Sequence, residues 1–312
     1  MTTNSSPVSV CIPCFNAGPF LERCLTSALR EVYPSDEIVF IDDGSTDDSF
    51  LIAQHLLRSN DTVMRQENMG PGATRNRLLK VAGREYVIFL DADDEIAPNG
   101  LKYLRGQAHN SDLVYGDALY VDPDGSWLRL QSQAPQTADS VVNMVNCAPM
   151  TSTVLIRKAA VPEAWNERYN CCDEYFFFLC FALRNRRLTH IPFPTAKVRE
   201  HSTPTRRTVA AGRSKSHIPT LLSMTWNLRE FFLANHSGSE LREAYFSITM
   251  LNWMVSLARQ GSITRFGEAD DIRDYLGNGY RSMRQWFKFR RKLPRMGTAR
   301  VVKAIMDYWR LV

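Results

Sequence analysis

Long hydrophobic runs and internal repeats are both missing from this 312-residue sequence. The longest charge-free stretches, residues 140–156 and 244–258, are too short or too polar for a membrane span, which needs roughly 18 or more apolar residues. The first seven residues have neither the basic nor the apolar region of a secretory signal. These absences predict a protein that is soluble or peripheral to a membrane.

A cysteine pattern typical of a disulfide framework is also missing. The seven cysteines are an odd number and are spread along the chain. Cys11 and Cys14 have C-x-x-C spacing, but they flank a predicted strand end and Pro13, so we interpret them as a reduced, partly buried pair. We therefore expect a reducing compartment, with the protein in the cytoplasm or bound peripherally at the cytoplasmic face of the membrane.

The composition is that of an ordinary globular protein, with an uneven distribution of charge. Apolar residues make up 44% and charged residues 23%, which excludes a disordered or coiled-coil protein. Residues 1–150 contain 11 Lys and Arg against 20 Asp and Glu, whereas the remainder contains 27 against 13. The net charge of +5 therefore combines an acidic first half with a basic second half, and we expect the two to have different tasks.

Strands and helices alternate over the first 90 residues. β-Branched and apolar runs predict strands at 8–12, 37–41, 62–65 and 86–90. Apolar residues at helical spacing predict helices at 20–29, 50–57 and 73–82. This alternation indicates βαβ units, and hence a parallel sheet with helices on both faces.

The pattern changes twice farther along the chain. Residues 113–156 show short strands and loops, and residues 173–187 predict a helix with a buried face. Beyond about residue 205 only helical segments are expected. We therefore predict an α/β domain over residues 1–205 and a helical C-terminal region over residues 206–312.

Polar side chains follow each of the first four predicted strands. They are Asn16, then Asp42 and Asp43, then Asn68, and finally Asp91, Asp93 and Asp94. Ligands of open parallel sheets bind outside the carboxyl ends of the strands. We therefore expect one acidic site that is built from all four segments.

Carboxylates at a strand end bind a hard cation, act as an acid or base, or cap the next helix. A Mg or Mn site fits Asp91-Ala92-Asp93-Asp94, because such ions take carboxylate oxygens together with substrate phosphates. A capped turn before Pro98 is the alternative, since Asp favours caps and turns. Asp43 at a neighbouring strand end favours the metal interpretation.

The segment Gly70-Pro71-Gly72-Ala73-Thr74-Arg75 supports a rival hypothesis. It begins like the G-x-G-x-x-G fingerprint, with Asp91 at a suitable distance, so an NAD-dependent oxidoreductase is a distant alternative. However, Arg75 replaces the third glycine, and the preceding strand is not the first one. The sequence has no G-x-x-x-x-G-K-[ST] motif, which excludes a P-loop.

Four motifs occur in a recognisable order. They are VSVCIPCFN at 8–16, EIVFIDDGSTD at 37–47, Asn68-x-Gly70 with Arg75-Asn76, and FLDADD at 89–94. Together they resemble the family 2 glycosyltransferases of GT-A fold, closely over the first 100 residues and more loosely to about residue 205. The resemblance implies a Rossmann-like, mostly parallel sheet with flanking helices. It also implies an inverting transfer from a nucleotide-diphosphate sugar, most often a UDP-sugar, with Mg or Mn.

The resemblance further implies which residues bind the nucleotide sugar. This group consists of Pro13, Phe15, Asn16, Asp43, Asn68, Arg75, Asp91, Asp94 and Arg199. Pro13 and Phe15 would border the base, and Asp43 would contact the uracil edge. Asn68 and Arg75 would hold the nucleotide and its phosphates, and Asp91 would lie near the ribose. Asp42 would only brace the turn.

Metal and catalytic residues are implied in the same way. Asp93 would bind the metal with Asp94 beside it, and His201 would contact the metal or a phosphate, with a structural role as its alternative. Cys172-Asp173-Glu174-Tyr175 resembles the family's acid pair, which usually reads Glu-Asp-Tyr. Glu174 therefore stands at the position of the base, with Asp173 as the substitute. The alternative is that both acids lie in the first turn of a helix only because the helix dipole stabilises negative charge there.

Residues 281–303 contain nine basic residues and no acid, with Trp286, Phe287, Phe289 and Leu293 interleaved. This composition suits an anionic membrane surface, where lipid-linked acceptors reside, and a solvated positive face is the alternative. No nucleic-acid-binding motif accompanies the segment, so no nucleic-acid partner is expected. We expect a glycan or lipid-linked acceptor in polysaccharide or cell-surface glycan synthesis. Because the acid pair is swapped, a non-catalytic nucleotide-sugar-binding or scaffolding protein stays open.

Overall fold

The computed structural model describes residues 7–136, 138, 140–146, 148–167 and 173–201. Their elements are β1 Val8–Cys14, α1 Gly18–Glu31, β2 Glu37–Asp42, α2 Ser49–Leu56, β3 Thr62–Arg65, α3 Pro71–Val81, β4 Tyr86–Phe89, β5 Glu95–Ile96, α4 Gly100–Ala108, β6 Leu113–Val121, β7 Trp127–Gln131, α5 Ser140–Asn146, β8 Val154–Arg157, α6 Asp173–Leu183 and β9 Leu188–Arg199. The predicted helical region 206–312, its basic segment 281–303 and the predicted boundary at residue 205 lie outside these residues and stay predictions.

The first four strands form the parallel layer that the sequence pattern predicts. β1 lies between β2 and β4, and β3 pairs with β2 at the edge. The sheet continues from β4 through β8, β6, β9 and β5, with β7 paired to β6. Of these later pairs only β6 with β9 is parallel. The sheet is therefore parallel where the sequence motifs lie and mixed beyond them.

β1 extends two residues past its predicted end and runs through Pro13. The Cys14 carbonyl accepts a hydrogen bond from Asp43 N–H on the β2 side, and the Cys11 carbonyl accepts one from Leu90 N–H on the opposite side. Alternate residues face alternate neighbours, so Pro13 faces the β4 side, where pairing ends at Cys11. The N–H that proline lacks therefore costs no ladder bond. Cys11 and Cys14 are free cysteines, and both are buried more completely than the partly buried pair that the sequence predicts.

Helix α1 shows how the apolar spacing is used. Leu21, Cys24, Leu25 and Ala28 are all fully buried, and they pack in one core with the inward residues of β1, β2 and β4. Burial of a large aliphatic side chain contributes about 1.5–3 kcal/mol, so this stripe fixes the helix on the sheet. No helix within the described residues is long and apolar enough to cross a membrane.

The sequence pattern predicts neither α4 nor the long strand β9. Asn99 precedes α4 and is a residue type favoured at an N-cap, but its backbone is left-handed with φ 62° and its side chain makes no capping hydrogen bond. β9 contains Pro192 and Pro194, which remove two backbone donors. The β6–β9 register shifts on both sides of Asp117, which pairs with Pro194. Such irregularities allow proline within a sheet.

The carboxyl ends of several strands meet at one edge of the sheet, called here the site edge. β6 is antiparallel to β8, which is antiparallel to β4, so β6 and its parallel neighbour β9 run in the direction of β4. The strands β1, β2, β3, β4, β6 and β9 therefore all end there, and the antiparallel β7 begins there. The four polar segments predicted to meet lie along this edge.

Candidate active site

A pocket opens at the site edge between the ends of β1, β2 and β4 and the start of α6. It is lined by Pro13, Cys14, Phe15, Asn16, Ala17, Phe20, Asp43, Pro71, Thr74, Arg75, Asp91, Ala92, Asp93, Asp94, Met150, Thr151, Asp173, Glu174, Val198 and His201. The lining includes all the predicted site residues except Asn68 and Arg199. Folding thus brings residues more than 180 positions apart in the chain into one pocket.

The turn after β4 exposes one carboxylate to the pocket and buries another. The Asp93 side chain is 29% exposed, whereas Asp94 is buried. Asp94 accepts hydrogen bonds from the Ser152 hydroxyl at 2.7 Å and from the Arg199 backbone N–H at 3.1 Å. Ser152 Oγ also accepts the Asp91 N–H at 3.2 Å. Ser152 therefore fixes both ends of the turn, and Asp94 braces it.

Burial and neighbouring carboxyl groups raise the pKa of two acids in this turn. Burial raises the pKa of Asp94 well above its ordinary value, and the charges of Asp93 and Asp91 raise it further. Burial also raises the pKa of Asp91, although the Arg75 guanidinium opposes the shift. A turn of this kind favours a proton or a bound cation near its carboxylates.

His201 meets the acidic turn at Asp93. Its Nε2 lies 2.9 Å from Asp93 Oδ2, and its side chain is only 3% exposed. The imidazole stacks on Phe20, with ring centroids 4.4 Å apart and 25° between the planes. The structure therefore brings together the two residues predicted to bind metal, and it holds the imidazole from two sides.

These residues fit a Mg or Mn ion as an incomplete donor set. Within the part of the chain that the structure describes, no group of three or more His, Cys, Asp or Glu side chains is placed to hold an ion. Mg²⁺ is commonly bound through one or two carboxylates plus substrate phosphates, and imidazole is acceptable to Mn²⁺. Asp93 and His201 would supply the protein's share of such a site, and this role stays a prediction.

Arg75 joins the acidic turn to the start of α6. Its Nη2 donates to Asp91 Oδ1 at 2.8 Å, and its Nη1 donates to Asp173 Oδ2 at 2.7 Å. The guanidinium lies over the Trp165 ring, 4.7 Å from the centroid. Burial lowers the pKa of Arg75, but Asp173 and Asp91 outweigh this and raise it above its ordinary value. Arg75 is therefore a fixed cation that bridges two walls of the pocket.

The two acids at the start of α6 have different environments. Asp173 is buried and paired with Arg75. Glu174 is half-buried and lines the pocket. Burial, followed by the charge of Asp173, raises the pKa of Glu174 from 4.5 to about 7. A carboxyl with a pKa near neutral pH is suited to accept a proton, whereas Asp173 is occupied by its ion pair with Arg75; the role of Glu174 as the base stays a prediction.

Asp43 both closes a loop and keeps capacity for a ligand. Its Oδ1 accepts hydrogen bonds from Gln66 Nε2 at 2.7 Å and Met69 N–H at 2.9 Å, and its Oδ2 accepts Gly70 N–H at 2.9 Å. A carboxylate accepts about four hydrogen bonds, so one more donor can be accommodated. Phe15, 39% exposed in the same lining, offers an apolar ring surface nearby.

Asn16 and Asp42 brace the loop that follows β2. Asn16 has φ 51°, its Oδ1 accepts the Thr46 N–H at 2.8 Å, and its N–H donates to Ser45 Oγ at 2.9 Å. Asp42 is fully buried, pairs with Arg65 at 3.0 Å and accepts the Ser45 N–H. Asn16 reaches the pocket lining, whereas Asp42 has the bracing role expected of it.

The structure does not place Asn68 or Arg199 in the pocket lining. Asn68 is exposed on the loop after β3. Arg199 is buried, its Nη2 pairs with Glu95, and its Nη1 donates to the carbonyls of Asp122 and Pro123 at 2.8 and 3.0 Å. Arg199 therefore holds the turn after β6, and its predicted role in binding the nucleotide sugar has no support in this arrangement.

Several residues that shape the pocket carry no signal of their own in the sequence. Ser152 and Trp165 belong to common residue types outside any motif, and only folding brings them to the site. Trp165 had an indirect signal in the Arg75-Asn76 motif. Asn76 Oδ1 accepts the Trp165 N–H at 2.8 Å, and Asn76 Nδ2 donates to the Trp165 carbonyl at 3.0 Å. This pair of bonds holds Trp165 beneath Arg75.

Comparisons with known proteins agree with this arrangement. The family model described as Glycosyl transferase family 2 matches residues 9–188. Glycosyltransferase GlyG of Streptococcus pneumoniae is 33% identical over 129 residues, which are 39% of this chain and 43% of that protein. Poly(ribitol-phosphate) beta-glucosyltransferase of Bacillus spizizenii is 33% identical over 117 residues, 35% of this chain and 18% of that protein. The chain thus spans less than half the length of these two relatives.

Solved structures show the same fold. The crystal structure of S. aureus TarS 1–349 in complex with UDP-GlcNAc superimposes with a TM-score of 0.68 at 21% identity, covering 88% of this chain and 80% of that chain. At this level of identity the likeness concerns the fold. It confirms the predicted GT-A-type α/β architecture.

Proposed function

This chain belongs to glycosyl transferase family 2, and we propose that it is a metal-dependent, inverting glycosyltransferase that uses a UDP-sugar. One observation carries the proposal. Glu174, with its raised pKa, lines the same pocket as the Arg75 bridge and the acidic turn after β4. A proton acceptor therefore lies beside the groups that would bind a diphosphate and its cation.

The donor site is assigned to the β1 and β2 side of the pocket. The exposed ring of Phe15 and the neighbouring Pro13 would border the base. The acceptor capacity left on Asp43 matches a single N–H donor, as on the edge of uracil. UDP-GlcNAc, which is bound by TarS, is accordingly the first donor to test.

In the proposed reaction, Glu174 accepts the proton of the acceptor hydroxyl. The hydroxyl oxygen forms a bond to the anomeric carbon while the bond from that carbon to the diphosphate oxygen breaks. Its electron pair leaves with the diphosphate, so a single displacement inverts the anomeric centre. A Mg or Mn ion held by Asp93 and His201 would supply positive charge to the departing diphosphate.

Arg75 and Asp173 keep the base in place and in a usable protonation state. Asp173 is held by Arg75 at 2.7 Å, which fixes the first turn of α6 and hence Glu174. The positive charge of Arg75 also lowers the pKa of Glu174, opposing burial and Asp173. A substantial fraction of Glu174 is therefore ionised near neutral pH.

The acceptor would be a hydroxyl of a glycan or lipid-linked glycan, in polysaccharide or cell-surface glycan synthesis. The basic segment 281–303 and its anionic membrane partner are sequence-based predictions, and they would place the enzyme at the cytoplasmic face.

A non-catalytic nucleotide-sugar-binding protein is the alternative, because the acid pair has the order Asp173-Glu174.

The structure does not support the oxidoreductase hypothesis. The glycine segment follows the edge strand β3 rather than the central β1, and Arg75 fills the position of the third glycine with a buried guanidinium.

The proposal is tested with a panel of UDP-, GDP- and TDP-sugars in a thermal-shift screen with and without Mn²⁺. UDP release is then measured for the donors that bind. We expect at least one UDP-sugar to stabilise the protein in the presence of Mn²⁺ and to be cleaved. Binding without cleavage, over a broad range of acceptors, would identify the non-catalytic binder. Stabilisation by NAD alone would contradict both hypotheses.

A further inference from the structure

An exposed tryptophan lies at the site edge, outside the pocket lining. Trp127, the first residue of β7, is 67% exposed, and Leu128 and Leu130 on the same strand are 41% and 51% exposed. Tryptophan is highly buried on average, and clustered exposed apolar side chains mark binding surfaces. Among the described strands, β7 pairs with β6 alone.

The sheet register places Trp127 close to the pocket. Trp127 is opposite Val121 at the end of β6, and Val121 is opposite Arg199 on its other side. Trp127 therefore lies two strand spacings, about 10 Å, from Arg199. Arg199 precedes the pocket residue His201 by two positions. A short oligosaccharide can span this separation.

The turn that leads into Trp127 is held by two arginines that lie close in the chain to residues of the pocket lining. Residues 122–126 link β6 to β7, and Arg199 Nη1 donates to the carbonyls of Asp122 and Pro123 at 2.8 and 3.0 Å. Arg23 donates to the Pro123 carbonyl at 3.1 Å, and it lies one helical turn after the pocket residue Phe20 on α1. A preformed surface binds a ligand with less loss of entropy than a mobile loop.

We propose that Trp127 and the 122–126 turn form an acceptor subsite, and that the acceptor is a neutral carbohydrate chain whose sugar ring stacks on the indole. The inference rests on the proposed function, because an acceptor must approach the donor pocket from the site edge. It goes beyond the proposed function because it names where the acceptor binds and which class of acceptor binds there.

The chemistry of this surface favours a neutral sugar. A sugar ring presents an apolar face to an aromatic side chain, while its hydroxyls bond to nearby polar groups. The turn offers such groups in Asp124 and Ser126, which are exposed and joined by a 2.6 Å hydrogen bond. The exposed carboxylate of Asp124 is negatively charged at neutral pH, and this charge repels an anionic chain. The charge of Arg129 on β7 is compensated by Glu200 at 2.7 Å.

The test uses the full-length protein on an array of neutral and anionic glycans, with three variants. Trp127→Ala removes the stacking surface, and Trp127→Phe retains part of it. Leu51→Ala is the matched control, because Leu51 is similarly exposed at 63% but lies on α2, which connects β2 to the edge strand β3, away from β6 and β7. UDP-GlcNAc affinity and binding to phosphatidylglycerol vesicles are measured for each variant.

We expect wild type and Leu51→Ala to retain a set of neutral glycans. Binding should fall at least tenfold in Trp127→Ala and recover in part in Trp127→Phe, with UDP-GlcNAc affinity and vesicle binding unchanged. Equal glycan binding by wild type and Trp127→Ala would overturn the inference. Binding of the wild type to anionic glycans alone, or to no glycan, would also overturn it. Loss of vesicle binding as the main effect of Trp127→Ala would overturn it as well. Failure of every nucleotide sugar to bind would instead contradict the proposed donor. The glycan-binding result tests the acceptor subsite independently of that outcome.

Discussion

Replacing Glu174 by Gln should abolish most sugar transfer while leaving donor binding intact. Gln retains the size and hydrogen bonding of Glu but cannot accept a proton, and a general base typically contributes about 10²–10⁴-fold to rate. We expect turnover to fall by about that factor. The Kd of the UDP-sugar, measured by isothermal titration calorimetry, should change only a few-fold because the base acts on the acceptor.

The pH profile supplies a second measure of the same residue. With the pKa of Glu174 raised to about 7, roughly half of the molecules carry the ionised carboxylate at pH 7. Each pH unit below this lowers the ionised fraction about tenfold. Turnover of the wild type should therefore rise with pH and level off above about pH 8, and this limb should be missing from Glu174→Gln.

The raised pKa also affects stability, with a definite sign. Folded Glu174 keeps its proton up to about pH 7, whereas the unfolded chain releases it near 4.5. The stability contributed by this group is therefore complete below pH 4.5 and is lost as the pH rises through 7. At pH 8 the loss is at most about 3 kcal/mol, from 1.36 kcal/mol for each pKa unit. Glu174→Gln should thus have a higher Tm than the wild type at pH 8, with little gain at pH 4.

Asp173→Asn is the matched control for the choice of base. It breaks the ion pair with Arg75 and should lower both stability and turnover, but the pH limb assigned to Glu174 should persist. Loss of that limb in Asp173→Asn, with full transfer in Glu174→Gln, would move the base one residue back. Full transfer by both variants would refute the assignment to α6.

Three further predictions concern the cation, the bridge and the membrane. Asp93→Asn should keep the fold and lose most Mn²⁺-dependent UDP binding, because an amide replaces the ligand carboxylate; unchanged Mn²⁺-dependent binding contradicts the assignment. Arg75→Lys should lower kcat and raise the apparent pKa of the pH profile of kcat, because an ammonium cannot bridge Asp91 and Asp173 as a guanidinium does. An unchanged pH profile would contradict the bridging role. Replacing residues 290–292 (Arg-Arg-Lys) by Gln should weaken binding to anionic vesicles by about 1 kcal/mol per charge. A wild-type protein that does not bind such vesicles at low salt would contradict the predicted membrane partner.

The parallel half of the sheet could be predicted from the sequence because each of its strands is a buried apolar run that ends in polar residues. The segment at 62–65 is a strand with the predicted bounds, and the apolar stripe of α1 is buried as its spacing indicates. Since parallel strands end at the same edge, the convergence of Asp43, Asp91 and Asp93 followed from the strand pattern alone.

The remainder depends on contacts between distant segments, which no local pattern records. β9 contains two prolines that are accommodated only by irregular pairing with β6. Arg199 contacts Glu95 and the turn after β6, and these contacts decide its role. The segment around Arg199 contains no pattern that predicts either contact. Likewise, the sequence ranks Glu174 above Asp173 only by its place in the acid pair, whereas the contact of Arg75 with Asp173 gives the two acids different environments.

The anomeric configuration of the first product tests the central claim most directly. UDP-GlcNAc is an α-linked donor, and under the proposed function we expect the protein to hydrolyse it slowly. The reaction can be followed by time-resolved ¹H NMR before the released sugar mutarotates. A single displacement assisted by Glu174 predicts that β-GlcNAc forms first, and that Glu174→Gln forms it much more slowly. Initial release of α-GlcNAc, or release at the same rate from the Glu174→Gln variant, would contradict the account.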